Sequence, residues 1–455
     1  MAKILYRSTN RNSALVDFKE ALLKGQAPDY GLYMPTSIPK LTEKEIGSFK
    51  GKGYHEIAFQ VAKKFLEKDV DDKELRRLIK ESYNFDIPLE KIQENLYIMR
   101  LDKGPTASFK DFAARLMARL MHYFSKKEGR KLTVLVSTSG DTGGAVADAF
   151  HGLGANVVIL FPEEGVSMIQ RKQMTTLGKN VKAIAVKGDF DDCQALVKLA
   201  FNDQDLVKLN LTSANSINFG RLLPQIFYYF YAYSKFGRGK IIFSVPSGNF
   251  GNLMGGVIAR EMGLPIEKFI VAVNENDEFP NFLKSGIYKP LEPSKKCNSN
   301  SMNIGHPSNL ARLIDLYGGW LYDRRSKKGN IIEKGVLGKN PNMKKMQSDF
   351  ISFSISDVEV NETIKHFYKK YNKLLEPHGA VAWRALEKYK KDNNVGLAVS
   401  FETADPAKFP DEVRKVLGIE PKIPKSLRGL DKKQEHFEVI RNDYSVFKRI
   451  LLKNF

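Results

Sequence analysis

Lys110 is the residue of this chain whose type and setting point most directly to chemistry. It lies in the run GPTASFKDFAA that begins at Gly104. Beyond it Phe109, Phe112, Ala113, Leu116, Met117, Leu120 and Phe124 recur at helical spacing and form an apolar stripe. Ser108, with Asp111 three residues on, reads as an N-cap with a capping-box partner, which places Lys110 at the second helical position. There the positive end of the helix dipole disfavours an ammonium. A lysine biased toward its neutral amine is what imine chemistry with an aldehyde cofactor requires.

Two later turns are built for anions. The β-branched run at 132–136 reads as a buried parallel strand and passes into Ser137, Thr138, Ser139, Gly140, Asp141, Thr142, Gly143 and Gly144, then a helix pattern. The order repeats with a strand at 240–245, the turn Pro246, Ser247, Gly248, Asn249, Phe250, Gly251 and Asn252, and a helix at 253–262. In such strand–turn–helix units, glycines let the backbone approach an anion and helix-start N–H groups point at it. The two cradles suit two anionic groups, such as a cofactor phosphate and a substrate carboxylate. Neither turn has the dinucleotide spacing, and Gly239-Lys240 lacks the Ser or Thr of a phosphate-binding P-loop. A fourth strand, 395–401, delivers Thr403 to a sheet edge, where a neutral hydroxyl could bond a pyridine nitrogen without forcing it to protonate.

The ordered motifs GPTASFKDFAA, STSGDTGGA, SANSIN, PSGNFGN and ETADPAKF resemble those of the threonine synthase family. These are pyridoxal-phosphate enzymes of fold type II, related to the tryptophan synthase β-like group. The likeness runs from about the thirtieth residue to about the four-hundred-and-tenth. The resemblance implies that Lys110 forms the imine with pyridoxal 5'-phosphate, that Gly248, Asn249, Phe250, Gly251 and Asn252 hold its phosphate, and that Thr403 meets its ring nitrogen. It implies that Ser139, Gly140, Asp141 and Thr142 receive the substrate carboxylate, and that Asn215, Ser216, Asn218 and Arg221 line the substrate site. Arg221 also fits the substrate phosphate, because its fork pairs with two oxygens, although an Arg opening an apolar helix is equally a solvated end. The implied reaction is that of a carbon–oxygen lyase acting on a phosphate ester. O-phospho-L-homoserine and water become L-threonine and phosphate through γ-elimination and β-addition of water. A phosphohomoserine lyase or a serine/threonine dehydratase on the same scaffold shares these residues. Three positions depart from the family pattern: Lys103, Gly144 (often Ser) and His306 (more usually Asn).

The elements that must position these residues follow from the pattern. The resemblance and the strand–helix alternation imply an α/β fold type II architecture, two α/β domains with mainly parallel sheets plus a helical N-terminal unit. The expected division is 1–98 for the mostly helical unit, with helices at 43–50, 56–67 and 72–83. An α/β domain carrying the lysine follows at 99–237, and 238–455 holds the phosphate loop and a basic tail. Residues 288–345, rich in Asn, Gly, Lys and Ser, read as a loop-heavy flap. With 455 residues and a 42% hydrophobic share, the chain can bury a large core. The net charge of +20 raises nucleic-acid binding, but the lysines are spread out, densest at 324–328 and 422–453, so a small-molecule substrate is the expectation and nucleic acid is not. The start lacks a signal-peptide apolar region and no run approaches a membrane span, so the expected location is the cytoplasm, as monomer or homodimer. Cys193 and Cys297 are too few for a disulfide framework, and no protein-built metal site is expected. Replacing Lys110 with Ala is expected to abolish both turnover and the visible absorption of the imine; full activity without this lysine would refute its role.

Overall fold

The computed structural model describes residues 3–326 and 329–455; Met1, Ala2 and, within the basic run at 324–328, Lys327 and Lys328 lie outside the described residues. Two sheets organise the molecule. The five-stranded sheet is parallel throughout, in the order Phe437–Arg441, Val181–Lys187, Asn156–Pro162, Thr133–Ser137, Leu211–Ser213. The six-stranded sheet runs Phe350–Ser354, Ile266–Val273, Ile241–Pro246, Leu397–Glu402, Leu96–Arg100, Leu89–Gln93, with only the last strand antiparallel to its neighbour. Helices cover both faces, so the central strands carry continuous apolar runs; Thr133–Ser137, Asn156–Pro162 and Ile241–Pro246 are buried along their whole length. The strands expected near Leu132, Val157, Val181, Ile241, Ile270 and Leu397 are all present.

The N-terminal unit holds helices Glu43–Gly47, Tyr54–Leu66 and Asp72–Ser82, close to their expected positions, and adds the antiparallel pair Tyr6–Ser8 and Tyr33–Pro35. Sheet membership departs from a contiguous division of the chain. Leu89–Gln93 and Leu96–Arg100, expected in the first unit, extend the six-stranded sheet. The basic tail, expected only as the end of the last unit, supplies the edge strand Phe437–Arg441 of the five-stranded sheet and the helix Tyr444–Asn454. Phe447 and Leu451 of that helix are fully buried against Leu135, Val158, Leu160 and Ile184. Its lysines and arginines mask an apolar stripe that is only partly visible in the sequence. The expected flap contains the helix Leu310–Leu316 and an antiparallel hairpin, Trp320–Arg325 with Ile331–Lys339. The irregular register of that hairpin broke the period-two signal by which a strand is recognised.

Parallel neighbours place functional turns on one edge. Ile241–Pro246 and Leu397–Glu402 pair in register from Ile241 with Leu397 to Ser244 with Ser400, so Ser247 and Thr403 leave the sheet on the same side. No helix among the described residues is long and apolar enough to cross a membrane. Deleting residues 437–455 uncovers the edge at Val181–Lys187 and exposes the sites of Ile440, Phe447 and Leu451. At about 1.5–3 kcal/mol for each buried side chain, the loss is roughly 5 kcal/mol or more. Calorimetry is expected to show a markedly lower unfolding midpoint, and an unchanged midpoint would contradict this packing.

Candidate active site

The lysine turn is held from two directions. The backbone N–H of Phe109 donates to Thr403 O at 2.8 Å, that of Asp405 donates to Ala107 O at 3.0 Å, and Ser108 pairs with Ala404 as an isolated bridge. Because Ser108 is held there in extended pairing, the helix starts one residue later than the sequence suggested. It spans Lys110–Lys127, with Phe109 at the N-cap and no side-chain cap, and Lys110 is its first residue. Nor is Asp111 a capping-box partner of Ser108. It accepts from Thr106 N at 2.9 Å and Thr106 Oγ1 at 2.5 Å, and burial pushes its carboxyl up to about 7. Gly104 is required beneath it, since a Cβ there would lie 2.3 Å from Asp111 Oδ2.

The Lys110 side chain is 14% exposed, with Nζ 3.9 Å from Asp141 Oδ2. Burial lowers its pKa to about 8; Lys408 and Arg221 add to the fall, and Asp141 opposes it. Desolvation is therefore the main cause, more than the helix dipole. Asp141 lies in the turn expected to receive a carboxylate, yet it is itself a buried anion. Lys408 Nζ sits 2.6 Å from its Oδ1, and Gln170 Nε2 donates to the same oxygen at 2.9 Å. Despite burial, the ammonium groups of Lys408 and Lys110 hold the Asp141 carboxyl well below the usual range. Lys408 has no exposed surface and also donates to Thr106 O at 3.1 Å. Lys408 falls in the ETADPAKF motif, where its only local signal is a lysine between Ala407 and Phe409.

At the second turn, Phe250 adopts the left-handed region at φ 59°, and the helix Gly251–Glu261 begins with no side-chain cap. A Cβ on Gly248 would meet Ser301 O at 2.8 Å, so glycine is what lets the loop pack against that carbonyl. Asn252 Oδ1 accepts from Tyr228 OH at 2.7 Å and Tyr229 OH at 2.9 Å, while its buried Nδ2 has no partner among the described residues. Asn249 accepts from Ser308 N through its side chain at 3.2 Å and from Asn309 Nδ2 through its carbonyl at 2.9 Å. The uncapped helix and the free Asn252 donor fit a phosphate.

Asn215 Nδ2 donates to Ser137 O at 2.9 Å, joining the SANSIN segment to the first turn. Arg221 is not a solvated end. It is buried, its Nη1 donates to Ala214 O at 2.9 Å, burial lowers it to about 10, and its Nε has no partner among the described residues. Asn218 departs from the substrate-lining expectation. Its Nδ2 donates to Leu22 O and Ser213 O at 2.8 and 3.0 Å, and its Oδ1 caps Gly220 N at 2.9 Å, so it shapes the loop. A further residue without a sequence signal is the fully buried Arg312, which donates to Tyr33 O, Ser216 O and Ile217 O at 3.1, 3.0 and 2.6 Å and fixes that loop. Beside it opens a cleft of about 540 Å³ lined by Ser137, Asn215, Ser216, Asn249, His306 and Asp323, among others. His306 is no free surface histidine: its ring bonds Tyr288 OH at 2.7 Å and Asp323 Oδ1 at 2.9 Å. At Gly144 a Cβ would lie 3.0 Å from Gln173 Cβ, so the serine often found there would crowd that side chain.

Three family models match in sequence order: "Threonine synthase N terminus" over residues 5–83, "Pyridoxal-phosphate dependent enzyme" over 82–328 and "Threonine synthase, C-terminal" over 379–451. The chain is 36% identical to the threonine synthase of Pseudomonas aeruginosa, with 96% of each chain covered. It is 37% identical to that of Haemophilus influenzae, covering 96% of this chain and 97% of the relative. The chain belongs to the threonine synthase family. The crystal structure of the pyridoxal-phosphate-bound threonine synthase of Brucella melitensis superposes with a TM-score of 0.90 at 35% identity, covering 99% of both chains. As in the threonine synthase family at large, the cofactor is pyridoxal phosphate, and the donors described above fit it.

Once the cofactor is stripped, Lys110 should become reactive toward an added aldehyde as pH rises through about 8, well below the ordinary lysine range. Asp141→Asn removes the group that raises the Lys110 pKa, so the inflection should move lower still. A rate that rises only near pH 10 would contradict the desolvated setting.

Proposed function

We propose that this site eliminates phosphate from O-phospho-L-homoserine and adds water at the β-carbon, giving L-threonine, with the roles divided as follows. The supporting observation is a single cluster. A buried amine lowered to about 8 stands 3.9 Å from Asp141, beside an unpartnered Arg221 Nε and on the chain segment bonded to Thr403. Pyridoxal phosphate, when bound, supplies the electron sink that acidifies the α- and β-carbons. Lys110 is the base, because an amine lowered to about 8 lies near working pH and can both take a proton and return it.

Residues 248–252 hold the cofactor phosphate on backbone donors and Asn252 Nδ2, and Thr403 meets the ring nitrogen. Arg221, whose Nε has no partner among the described residues, takes the substrate phosphate. Ser139, Gly140 and Thr142 receive the substrate carboxylate. That turn can admit an anion because Lys408 neutralises Asp141 at 2.6 Å. Asn215 and Ser216 complete the wall, while Asn218 and Arg312 hold it in place. The hairpin Trp320–Arg325 with Ile331–Lys339 borders the cleft and limits water to the step that needs it.

Purified enzyme with phosphohomoserine should yield threonine and phosphate in equal amounts; 2-oxobutyrate as the main product would favour the lyase alternative. Arg221→Ala should raise KM for phosphohomoserine by roughly ten- to a hundred-fold, the worth of hydrogen bonds to a charged group. An unchanged KM would remove Arg221 from the phosphate site.

A further inference from the structure

The cleft is walled by two elements from different parts of the fold, and each carries a cation without a carboxylate partner. One is the helix Phe190–Asn202, started by a capping box at Asp189 and packed on the five-stranded sheet through Cys193 and Leu196; it brings Lys198 to the cleft. The other is the hairpin Trp320–Arg325 with Ile331–Lys339, which brings Arg325. The turn of the hairpin approaches the end of that helix, since a Cβ at Gly329 would lie 2.5 Å from Tyr30 OH and 3.8 Å from Asn202 Nδ2. Arg325 is held there by the Tyr30 ring, 4.3 Å from its guanidinium carbon, and by donating from Nη1 to Gly329 O at 2.7 Å. Its Nε and Nη2 have no partner among the described residues. Lys198 reaches solvent where the cleft opens, and its Nζ makes no hydrogen bond or ion pair among the described residues. The carboxylates that line the cleft are engaged elsewhere. Glu292 pairs with Lys334, Asp323 accepts from His306 Nε2 at 2.9 Å and Gly335 N at 3.0 Å, and Asp191 accepts from Gln194 Nε2 at 3.2 Å. Burial lowers Lys198, with Arg325 adding to the fall and Asp323 opposing it; burial lowers Arg325 as well, against Asp323.

We infer that Lys198 and Arg325 form an outer anion site in the cleft, built for a phosphate dianion and separate from the inner one proposed at Arg221. Two cations on separate walls match a tetrahedral dianion. The guanidinium edge formed by Nε and Nη2 pairs with two oxygens, and the ammonium takes a third. A carboxylate, with one charge and two oxygens in a plane, would leave one of the cations unmet. Asn215 and Ser216 line the same cleft, so a phosphate resting here lies along the wall proposed for the substrate. Two dianions of this chemistry concern the enzyme, the phosphate ester that enters and the free phosphate that leaves. Use of the site by either rests on the reaction proposed above; its capacity to bind inorganic phosphate does not.

Labelling of the holoenzyme with a limiting amine-acetylating reagent, read by mass spectrometry, tests the site directly. Millimolar inorganic phosphate should slow acetylation of Lys198 several-fold, measured against Lys131, an exposed lysine before the strand Thr133–Ser137. Potassium chloride of the same ionic strength should not. Equal labelling with and without phosphate, or equal protection by chloride, overturns the site. Protection that vanishes in Arg221→Ala overturns it too, because the phosphate would then sit at the inner site. Kinetics identify the user. If the ester is captured, Lys198→Gln lowers kcat/KM for phosphohomoserine roughly threefold to tenfold at low salt, the loss fades as salt rises, and Lys198→Arg restores the rate. If the departing phosphate is captured, Lys198→Gln instead weakens inhibition by added phosphate by a similar factor. A variant with neither effect overturns the assignment. An unprotected Lys198 in an enzyme that makes threonine sinks this site alone; a protected Lys198 in an enzyme that makes 2-oxobutyrate sinks the reaction alone.

Discussion

Asp141 is the point on which the site balances. It is a carboxylate almost without access to water, 2.6 Å from one buried ammonium and 3.9 Å from another. Removing charges from water is expensive, and such a cluster persists only where each charge is met. One anion between Lys408 and Lys110, with Arg221 nearby, leaves the pocket with an excess of positive charge. Burial is the main cause of the lowering of Lys110 and Arg221, Lys408 and Arg221 adding to it at Lys110, and the excess charge is what anionic ligands complete. The protein holds the cluster by backbone: Thr106 O accepts from Lys408 at 3.1 Å and from Gln173 Nε2 at 2.9 Å, and Thr403 O accepts from Phe109 N at 2.8 Å. A shift in any of these segments changes the distance between the amine and its carboxylate.

The path of the chain makes that arrangement stiff. The turn at 104–109 lies between the strand Leu96–Arg100 of the larger sheet and a helix that packs on Asp141–Phe150, which follows the first strand of the smaller sheet. The strand Leu397–Glu402, contributed from near the other end of the chain, lies beside Leu96–Arg100 and delivers Thr403 to the same turn. Lys110 and Thr403 are thus tied to adjacent strands of one sheet. Loops alone would allow them more freedom.

Most of this scaffold was legible because parallel strands buried on both faces leave continuous apolar runs, and because glycine at a turn marks a close approach. Lys110, the loop at 248–252 and Thr403 were singled out through those signals and through the ordered motifs. What escaped were residues whose role depends on distant partners. Lys408 and Arg312 have no local pattern, since their meaning comes from carbonyls and charges far away in sequence. The start of the lysine helix was misplaced for the same reason: the pairing of Ser108 with Ala404, far along the chain, overrode a good local cap. The packing of the tail was not legible because Phe447 and Leu451 face a cluster to which the five-stranded sheet contributes, among lysines that face water.

The proposed function requires three anions to be told apart, and the candidate site offers three different devices for them. The uncapped helix at Gly251 offers backbone dipoles with no mobile side chain, which suits a phosphate that stays through many turnovers. Arg221 offers a fork with a free Nε, which suits a phosphate that must arrive and leave. The first turn offers donors beside a carboxylate already neutralised by Lys408, so it gives direction with little added charge. A pocket lined only with lysines would hold any of the three in any place. Because the devices differ in shape and charge, the proposed roles would let a substrate with a carboxylate at one end and a phosphate at the other lie in only one direction, with its α-carbon beside Lys110.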